Sequence, residues 1–159
     1  MAVLFMASAC MAGEPERYGG EVDGYAGMQH FPGVTKALLG GAIGKPIGQR
    51  SQLFVESGYI PFGGGNKMVN LAGGLNVGLP SGSDTVAPYL TFLGGLGREM
   101  GNGAGANRVT YGAGFGVRYF LAKQWGIRPE FRWQRYQVAE GGVNSYAFSV
   151  GLFYRFGGN

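Results

Sequence analysis

The sequence is poor in the side chains from which disulfide, metal and acid–base sites are usually built. Its 159 residues include one cysteine, Cys10, and one histidine, His30. A single cysteine excludes an internal disulfide framework and a cysteine metal site, and a single histidine excludes a polyhistidine site. Charged residues make up 14% of the chain, where about 25% is typical. We therefore expect no metal site and no cofactor.

Long apolar runs, a basic stripe and a nucleotide-binding loop are also missing. No apolar run reaches the roughly 18 residues that a membrane-spanning helix needs. The net charge is +4, and the arginines alternate with apolar residues instead of lining one exposed face, which argues against nucleic-acid binding. The glycine-rich stretch around residues 94–107 lacks the Gly-Lys-Ser/Thr of a P-loop, and we interpret it as a surface loop.

The N-terminal segment differs from the rest of the chain. The first twelve residues, MAVLFMASACMA, are apolar, and the polar sequence GEPE follows them. Small residues at 7–9 and at 10–12 resemble signal cleavage sites, although the basic start of a secretory signal is missing. We predict a signal-peptide remnant at residues 1–12 and one domain at residues 13–159. In a second interpretation, Cys10 is the acceptor of a lipid anchor.

Glycine, aromatic residues and strand-like periodicity are abundant. Glycine accounts for 33 of the 159 residues and aromatic residues for 14%. The chain is 45% hydrophobic, so the glycine belongs to a folded domain rather than to a disordered segment. Eight segments alternate between apolar and small or polar residues with a period of two, which is typical of β-strands. They span residues 18–30, 36–44, 51–60, 67–79, 87–97, 108–121, 125–137 and 145–156.

The two faces of these segments predict a barrel with its apolar surface outside. In the seventh segment, Ile127, Phe131 and Trp133 alternate with Arg128 and Arg132. The polar faces consist mostly of glycine, serine and alanine, and such small residues fit the narrow interior of an eight-stranded barrel. Because a closed barrel satisfies all its backbone groups within a bilayer, we predict an all-β, eight-stranded antiparallel up-and-down transmembrane β-barrel.

Alternate residues of a strand point to opposite faces, a property called parity here. Eight charged residues, four of each sign, occupy strand positions whose parity points into the barrel. Buried charges need partners, so we expect them to form a barrel-interior charge network. Asp23 and Arg155 are expected to meet, because the first strand closes against the last. Such a network either plugs the barrel or forms a narrow conduit or binding site for small apolar solutes or ions. The network comprises Glu21, Asp23, Glu56, Arg118, Arg128, Glu130, Arg132 and Arg155.

Aromatic side chains gather near the predicted strand ends, as in the girdles of membrane barrels. The last segment, NSYAFSVGLFYRF, also carries a polar residue, a glycine and two aromatic residues at Ser149, Gly151, Tyr154 and Phe156. This spacing resembles the C-terminal assembly signal of the small eight-stranded outer-membrane β-barrels of Gram-negative bacteria, the OmpA/OmpX-like group. That signal usually ends at the terminal aromatic residue, whereas residues 157–159 follow here. The predicted girdle comprises Tyr119, Trp125, Trp133, Tyr136 and Tyr146.

The resemblance covers residues 18–156 and implies an outer-membrane location, a monomer and recognition by the outer-membrane assembly machinery. It also implies contact with membrane lipid and lipopolysaccharide, for which Lys67, Arg98 and Arg108 are candidates by position and charge. Some small barrels of this kind modify lipopolysaccharide acyl chains, which makes His30 a candidate catalytic residue. No serine or acid is near His30 in sequence, so we expect a structural or interaction role instead. The remaining alternative is a soluble, calycin-like barrel with reversed faces that binds a small apolar ligand.

Overall fold

The structure is a computed structural model that describes residues 18–101, 105–138 and 141–157. The proposed signal-peptide remnant at residues 1–12 and the proposed lipid acceptor Cys10 lie outside these ranges, so both stay predictions. Within the described ranges, no helix combines the length and the apolar character that crossing a membrane requires.

Eight antiparallel strands make up most of the described chain. They are β1 (Gly20–Phe31), β2 (Val34–Pro46), β3 (Ser51–Gly63), β4 (Asn66–Gly78), β5 (Val86–Met100), β6 (Ala106–Phe120), β7 (Trp125–Val138) and β8 (Gly141–Phe156). Each strand pairs with the next one in sequence, and β1 pairs with β8, so that the sheet closes on itself. The predicted fold class, an all-β, eight-stranded antiparallel up-and-down barrel, is confirmed.

The barrel has two different ends. The terminal end holds the start of β1, the end of β8 and the connections 47–50, 79–85 and 121–124, and the distal end holds the other connections. At the distal end, β3 continues to Gly63 and β4 begins at Asn66, although residues 61–66 were expected to form a loop. Gly64 and Gly65 make this tight hairpin with φ values of 61° and 84°, which glycine adopts without steric penalty.

Strand alternation places apolar side chains on the outer surface. On β8, Tyr146, Phe148, Val150 and Leu152 point outward and are between 45% and 62% exposed. The residues between them are buried inside the barrel. A water-soluble barrel needs the opposite arrangement, so the calycin-like alternative does not fit this structure.

Inward-facing glycines make room for aromatic side chains. The ring of Tyr89 on β5 lies against Gly116 on β6, where an added Cβ would be 2.6 Å from Tyr89 Cζ. Glycine at this position leaves room for the ring in the narrow interior of the barrel. The same arrangement joins Tyr25 to Gly40, Phe54 to Gly74, and Phe153 to Gly126.

Candidate functional site

The barrel interior holds a network of ion pairs, and Glu21 occupies the part nearest the terminal end. Glu21 is 1% exposed and pairs with two guanidinium groups, those of Arg118 and Arg155, each at 3.0 Å. A third, that of Arg128, lies 3.8 Å from the same carboxylate. The guanidinium groups of Arg118 and Arg128 repel each other. Because the carboxylate of Glu21 lies close to both, it offsets this repulsion.

Asp23 has a different partner from the one expected. Its carboxylate lies 2.6 Å from Arg128, and the expected contact between Asp23 and Arg155 is wrong. The register explains the error, because Glu21 is the direct cross-strand neighbour of Arg155 and Asp23 is opposite Phe153. Parity predicts which residues point inward, but it does not predict the register between the first and last strands.

Arg132 connects opposite parts of the barrel wall at mid-height. Its Nη1 donates to both carboxylate oxygens of Glu56 on β3, at 2.6 and 2.7 Å, and its Nε donates to Glu130 on its own strand. Glu130 also accepts a hydrogen bond from the hydroxyl of Tyr89 on β5. All eight residues of the expected network therefore lie inside the barrel, and every one of them has an oppositely charged partner.

A second, uncharged polar cluster lies between the ion pairs and the distal end. The amide nitrogen of Gln29 lies within hydrogen-bond distance of oxygen atoms of Gln134, Tyr136 and Ser145, at 3.0, 3.0 and 2.8 Å, and Asn70 donates to Tyr136 at 3.0 Å. This cluster was not predicted from the sequence. The parity of β1 and β7 indicates that Gln29 and Gln134 point inward, but no local pattern predicts that they meet.

Tyr136 is the one member of the predicted aromatic girdle that the structure contradicts. Its side chain is 2% exposed and lies inside the barrel, because it shares the parity of Arg132 and Gln134 rather than that of Trp133. The other four members point outward: Tyr119, Trp125 and Tyr146 are exposed and Trp133 is partly exposed.

An apolar cluster fills the interior at the distal end. Phe31, Ile60 and Met68 are its most distal buried members, and the ring centroid of Phe31 lies 5.8 Å from that of Tyr136. Small and polar residues were predicted throughout the interior, so this apolar cluster differs from the prediction. The cluster, named here the distal apolar cluster, comprises Tyr25, Phe31, Leu38, Ile60, Met68, Tyr136 and Ala147.

The residues of the predicted assembly signal divide between the two faces of β8. Ser149 and Gly151 are buried on the inner face, whereas Tyr154 and Phe156 are exposed, at 46% and 40%, on the outer face. The aromatic part of the motif is thus presented on the outer surface at the terminal end.

His30 lies on the outer surface near the distal end of β1. Its Nδ1 is 2.9 Å from the hydroxyl oxygen of Thr35, an exposed contact across the β1–β2 hairpin. The partner is a hydroxyl group rather than the carboxylate that would orient a catalytic imidazole. In the residues described, no cluster of histidine, cysteine, aspartate and glutamate side chains is suited to a metal ion.

The three cations proposed to contact lipopolysaccharide do not share one environment. Lys67 and Arg98 are exposed on the outer surface near the distal end. Arg108 instead points toward the barrel mouth and pairs with Glu99 at 2.6 Å. Arg135, which the sequence analysis did not single out, takes the outward position on β7 and donates to Asn144 at 3.2 Å.

A closed eight-stranded barrel with an apolar outer surface and an ion-paired interior has the fold of the small outer-membrane β-barrels. Neisserial surface protein A superposes on this chain with a TM-score of 0.71 at 15% identity, covering 86% of this chain and 96% of that protein. The predicted resemblance to small eight-stranded outer-membrane barrels is thereby confirmed.

Two further solved structures have the same fold. The N-terminal β-barrel domain of Pseudomonas aeruginosa OprF has a TM-score of 0.54 at 16% identity and covers 84% of this chain and 97% of that one. The outer membrane enzyme PagL has a TM-score of 0.57 at 14% identity and covers 82% of this chain and 97% of that one. The sequence matches no family model and no curated protein. At such low identities, the likeness establishes the fold and not the activity.

Proposed function

We propose that the protein is a monomeric outer-membrane β-barrel of a Gram-negative bacterium, with a sealed interior and a structural or surface-interaction role. The fold supports this location, and so does an outer surface that suits acyl chains. Tyr119 and Trp125 near the terminal end, and Tyr146 near the distal end, fit the two membrane interfaces.

The main support for a sealed interior is the ion pair that Arg132 forms with Glu56 across the barrel. The guanidinium group of Arg132 joins β7 to Glu56 on β3, and the distal apolar cluster lies beyond it. An ion on its way through would have to displace a buried ion pair and then cross apolar side chains. Each step costs several kcal/mol, which is about the effective penalty for a buried charge without partners.

Conductance in planar lipid bilayers tests this proposal. We expect the folded protein to insert without discrete current steps, because an ion would have to displace the buried pair of Arg132 and Glu56. A porin reconstituted in the same bilayers is the control for insertion, and the slower or faster gel migration of unboiled protein reports folding. Regular unitary steps from folded protein would favour the narrow conduit over the sealed barrel.

The surface-interaction role is supported by the charges on the outer surface. Among the described strand residues that point outward, every charged side chain is cationic, with Lys45 near the terminal end and the other three near the distal end. Those three, Lys67, Arg98 and Arg135, form the basic collar. Cations just beyond an apolar surface attract anionic headgroups, so we propose that the basic collar contacts the phosphate groups of lipopolysaccharide.

Biogenesis is the second part of the proposal. Tyr154 and Phe156 are exposed on β8, the strand that closes the barrel against β1. Two aromatic side chains on the outer face of β8 are accessible to a partner protein before β8 pairs with β1 and closes the barrel. This supports recognition of the motif by the outer-membrane assembly machinery.

The proposed role is not catalytic. PagL shares the fold and is an outer membrane enzyme. The histidine of this chain, however, contacts a threonine hydroxyl, and the described carboxylates lie inside the barrel or near other connections. Among the residues that the structure describes, a nucleophile, a base and an orienting acid are therefore not brought together at His30.

A further inference from the structure

The outer surface has a groove at the terminal end, at the seam where β8 closes against β1. Its volume is about 450 Å³, within the range of roughly 300–1,000 Å³ that is typical of small-molecule sites. Residues of β1, β2 and β3 and the last residue of β8 contribute to it. The terminal groove, as it is named here, is lined among others by Gly20, Ile43, Lys45, Leu53, Val55 and Phe156.

A glycine at the start of β1 makes room for this groove. Gly20 shares the outward parity of Val22, and an added Cβ at Gly20 would be 2.5 Å from Phe156 Cζ, so the aromatic ring lies over the backbone there. On the neighbouring strands, Ile43 and Leu53 are 58% and 51% exposed. The missing side chain therefore leaves a recess between an aromatic ring and aliphatic side chains.

One cation belongs to the groove. Among the described residues that line it, Lys45 is the one with a charged side chain, and Lys45 is exposed. The carboxylate of Glu21, on the adjacent strand, points into the barrel and pairs with arginines there. A lysine beside an apolar membrane surface keeps its stem on that surface and its ammonium group among the headgroups. The groove thus joins an apolar recess to a positive charge.

The position of the groove indicates the class of molecule that occupies it. The outer surface of an outer-membrane barrel contacts acyl chains, and the exposed rings of Tyr154 and Phe156 suit a membrane interface at the terminal end. The basic collar, which we propose to contact lipopolysaccharide, lies at the other end of the barrel. The lipid available at the terminal end is then a phospholipid, and Lys45 favours one with a net negative charge.

We infer that the terminal groove binds one anionic phospholipid. An acyl chain packs against Ile43, Val55 and the ring of Phe156, and the phosphate group lies at the ammonium group of Lys45. This inference rests on the proposed function, in which the basic collar faces lipopolysaccharide. Because β1 and β8 both contribute to the groove, a bound lipid covers the seam and stabilises the closed barrel.

Native mass spectrometry of the folded full-length protein tests this inference. The protein is released from maltoside micelles with equal amounts of dioleoyl phosphatidylglycerol and dioleoyl phosphatidylcholine, which share their acyl chains and differ in net charge. The starting protein has glutamine at Lys67, Arg98 and Arg135, because the basic collar also attracts anionic lipid. We expect it to retain one phosphatidylglycerol about fivefold more often than one phosphatidylcholine.

Two pairs of variants in that protein locate the site. Lys45→Gln should abolish the preference for phosphatidylglycerol, whereas Arg50→Gln, the same charge change at the same end but outside the groove, should keep it. Val55→Trp places an indole in the groove and should lower the retention of both lipids several-fold. Val109→Trp should leave retention unaltered, because Val109 has a similar exposure, 55% against 53%, elsewhere on the outer surface.

Equal retention of the two lipids in the starting protein overturns the inference, as does a dimer in place of the lipid-bound monomer. It is also overturned if Arg50→Gln reduces the preference as much as Lys45→Gln does, because the lipid would then respond to the general charge of this end. Equal losses from Val55→Trp and Val109→Trp overturn it as well, because the lipid would then bind anywhere on the apolar surface.

Two checks keep these outcomes separate from misfolding and from the proposed function. Unboiled gel migration confirms that each variant is folded, and if Val55→Trp fails that check, the comparison of Lys45→Gln with Arg50→Gln still decides. Stabilisation of the wild type by lipopolysaccharide measures the basic collar independently. A terminal groove that binds no lipid would therefore leave the proposed role of the collar intact.

Discussion

At the scale of single residues, burial determines how much an ion pair contributes to the free energy of unfolding. Arg132 lies 2.6 Å from Glu56, and Arg108 lies 2.6 Å from Glu99. The two pairs have the same separation, but the Arg132 and Glu56 side chains are 9% and 6% exposed, whereas those of Arg108 and Glu99 are 27% and 42% exposed. Solvent screens the second pair and offers it alternative partners, so the two should differ strongly in energy.

We therefore expect Arg132→Met and Arg108→Met to have very different costs. Arg132→Met leaves Glu56 and Glu130 buried without their cation, which should lower the free energy of unfolding by about 3 to 5 kcal/mol. Arg108→Met should lower it by less than about 1 kcal/mol. Urea unfolding in lipid vesicles, followed by tryptophan fluorescence, measures both values. If both variants lost the same free energy of unfolding, burial would not determine the contribution of these ion pairs.

Sequence parity predicted the interior residues better than it predicted their contacts. The alternation in β7 indicates the inward direction of Arg128 and Arg132, because side-chain direction is a local property of a strand. The partner of Asp23 depends instead on register, whereas the inward position of Tyr136 follows the parity of β7 and was missed because the girdle was assigned from nearness to the strand end. Register results from pairing between distant segments, and no local pattern of this chain specifies it.

At the scale of the strands, pairs of glycine and aromatic residues fix how neighbouring strands pack inside the barrel. The ring of Tyr89 lies over Gly116, and its hydroxyl donates to Glu130, so the ring has little freedom to move away. Gly94 on β5 differs, because it points outward and an added Cβ there would be 3.9 Å from the nearest atom, the carbonyl oxygen of Thr110.

We expect Gly116→Ala to destabilise the barrel by about 1 to 3 kcal/mol, since a methyl group must displace a ring that is hydrogen-bonded. Gly94→Ala should change stability by less than about 1 kcal/mol, in the stabilising direction, because alanine restricts the unfolded chain. Both values come from urea unfolding in vesicles. The packing role of Gly116 is refuted if Gly94→Ala is the more damaging of the two.

The number of strands was predictable and their ends were less so. Eight alternating segments indicate eight strands, because the period of two is strong in each of them. The segment 61–66 was expected to be a loop on account of its glycines, yet it continues both strands into a hairpin around Gly64 and Gly65. Glycine marks a turn but does not show how many residues the turn takes.

At the scale of the whole molecule, the two ends of the barrel differ. The distal apolar cluster lies at one end, and a cavity of about 690 Å³, lined among others by Arg50 and Arg155, opens at the other. On the outer surface, the distal end has the basic collar, whereas among the described strand residues the terminal end has Lys45 as its outward cation. In an asymmetric bilayer this difference favours one orientation, with the distal end in the leaflet that has more negative charge.

The basic collar should strengthen binding to lipopolysaccharide. We expect lipopolysaccharide to raise the melting temperature of the wild type in non-ionic detergent, because a ligand of the folded state stabilises it. Replacing Lys67, Arg98 and Arg135 with glutamine removes about 1 kcal/mol per cation, so the affinity should fall roughly 100-fold and the thermal shift should shrink.

Three comparisons separate the collar from other ways of binding lipopolysaccharide. Arg108→Gln, which removes a cation already paired with Glu99, should leave the thermal shift close to that of the wild type. Phosphatidylcholine, which has no net charge, should stabilise the wild type and the triple variant equally. The shift caused by lipopolysaccharide should also decrease with added salt, since exposed charges are screened. A triple variant with an undiminished, salt-insensitive shift would show that lipopolysaccharide binds through the apolar surface and not through the collar.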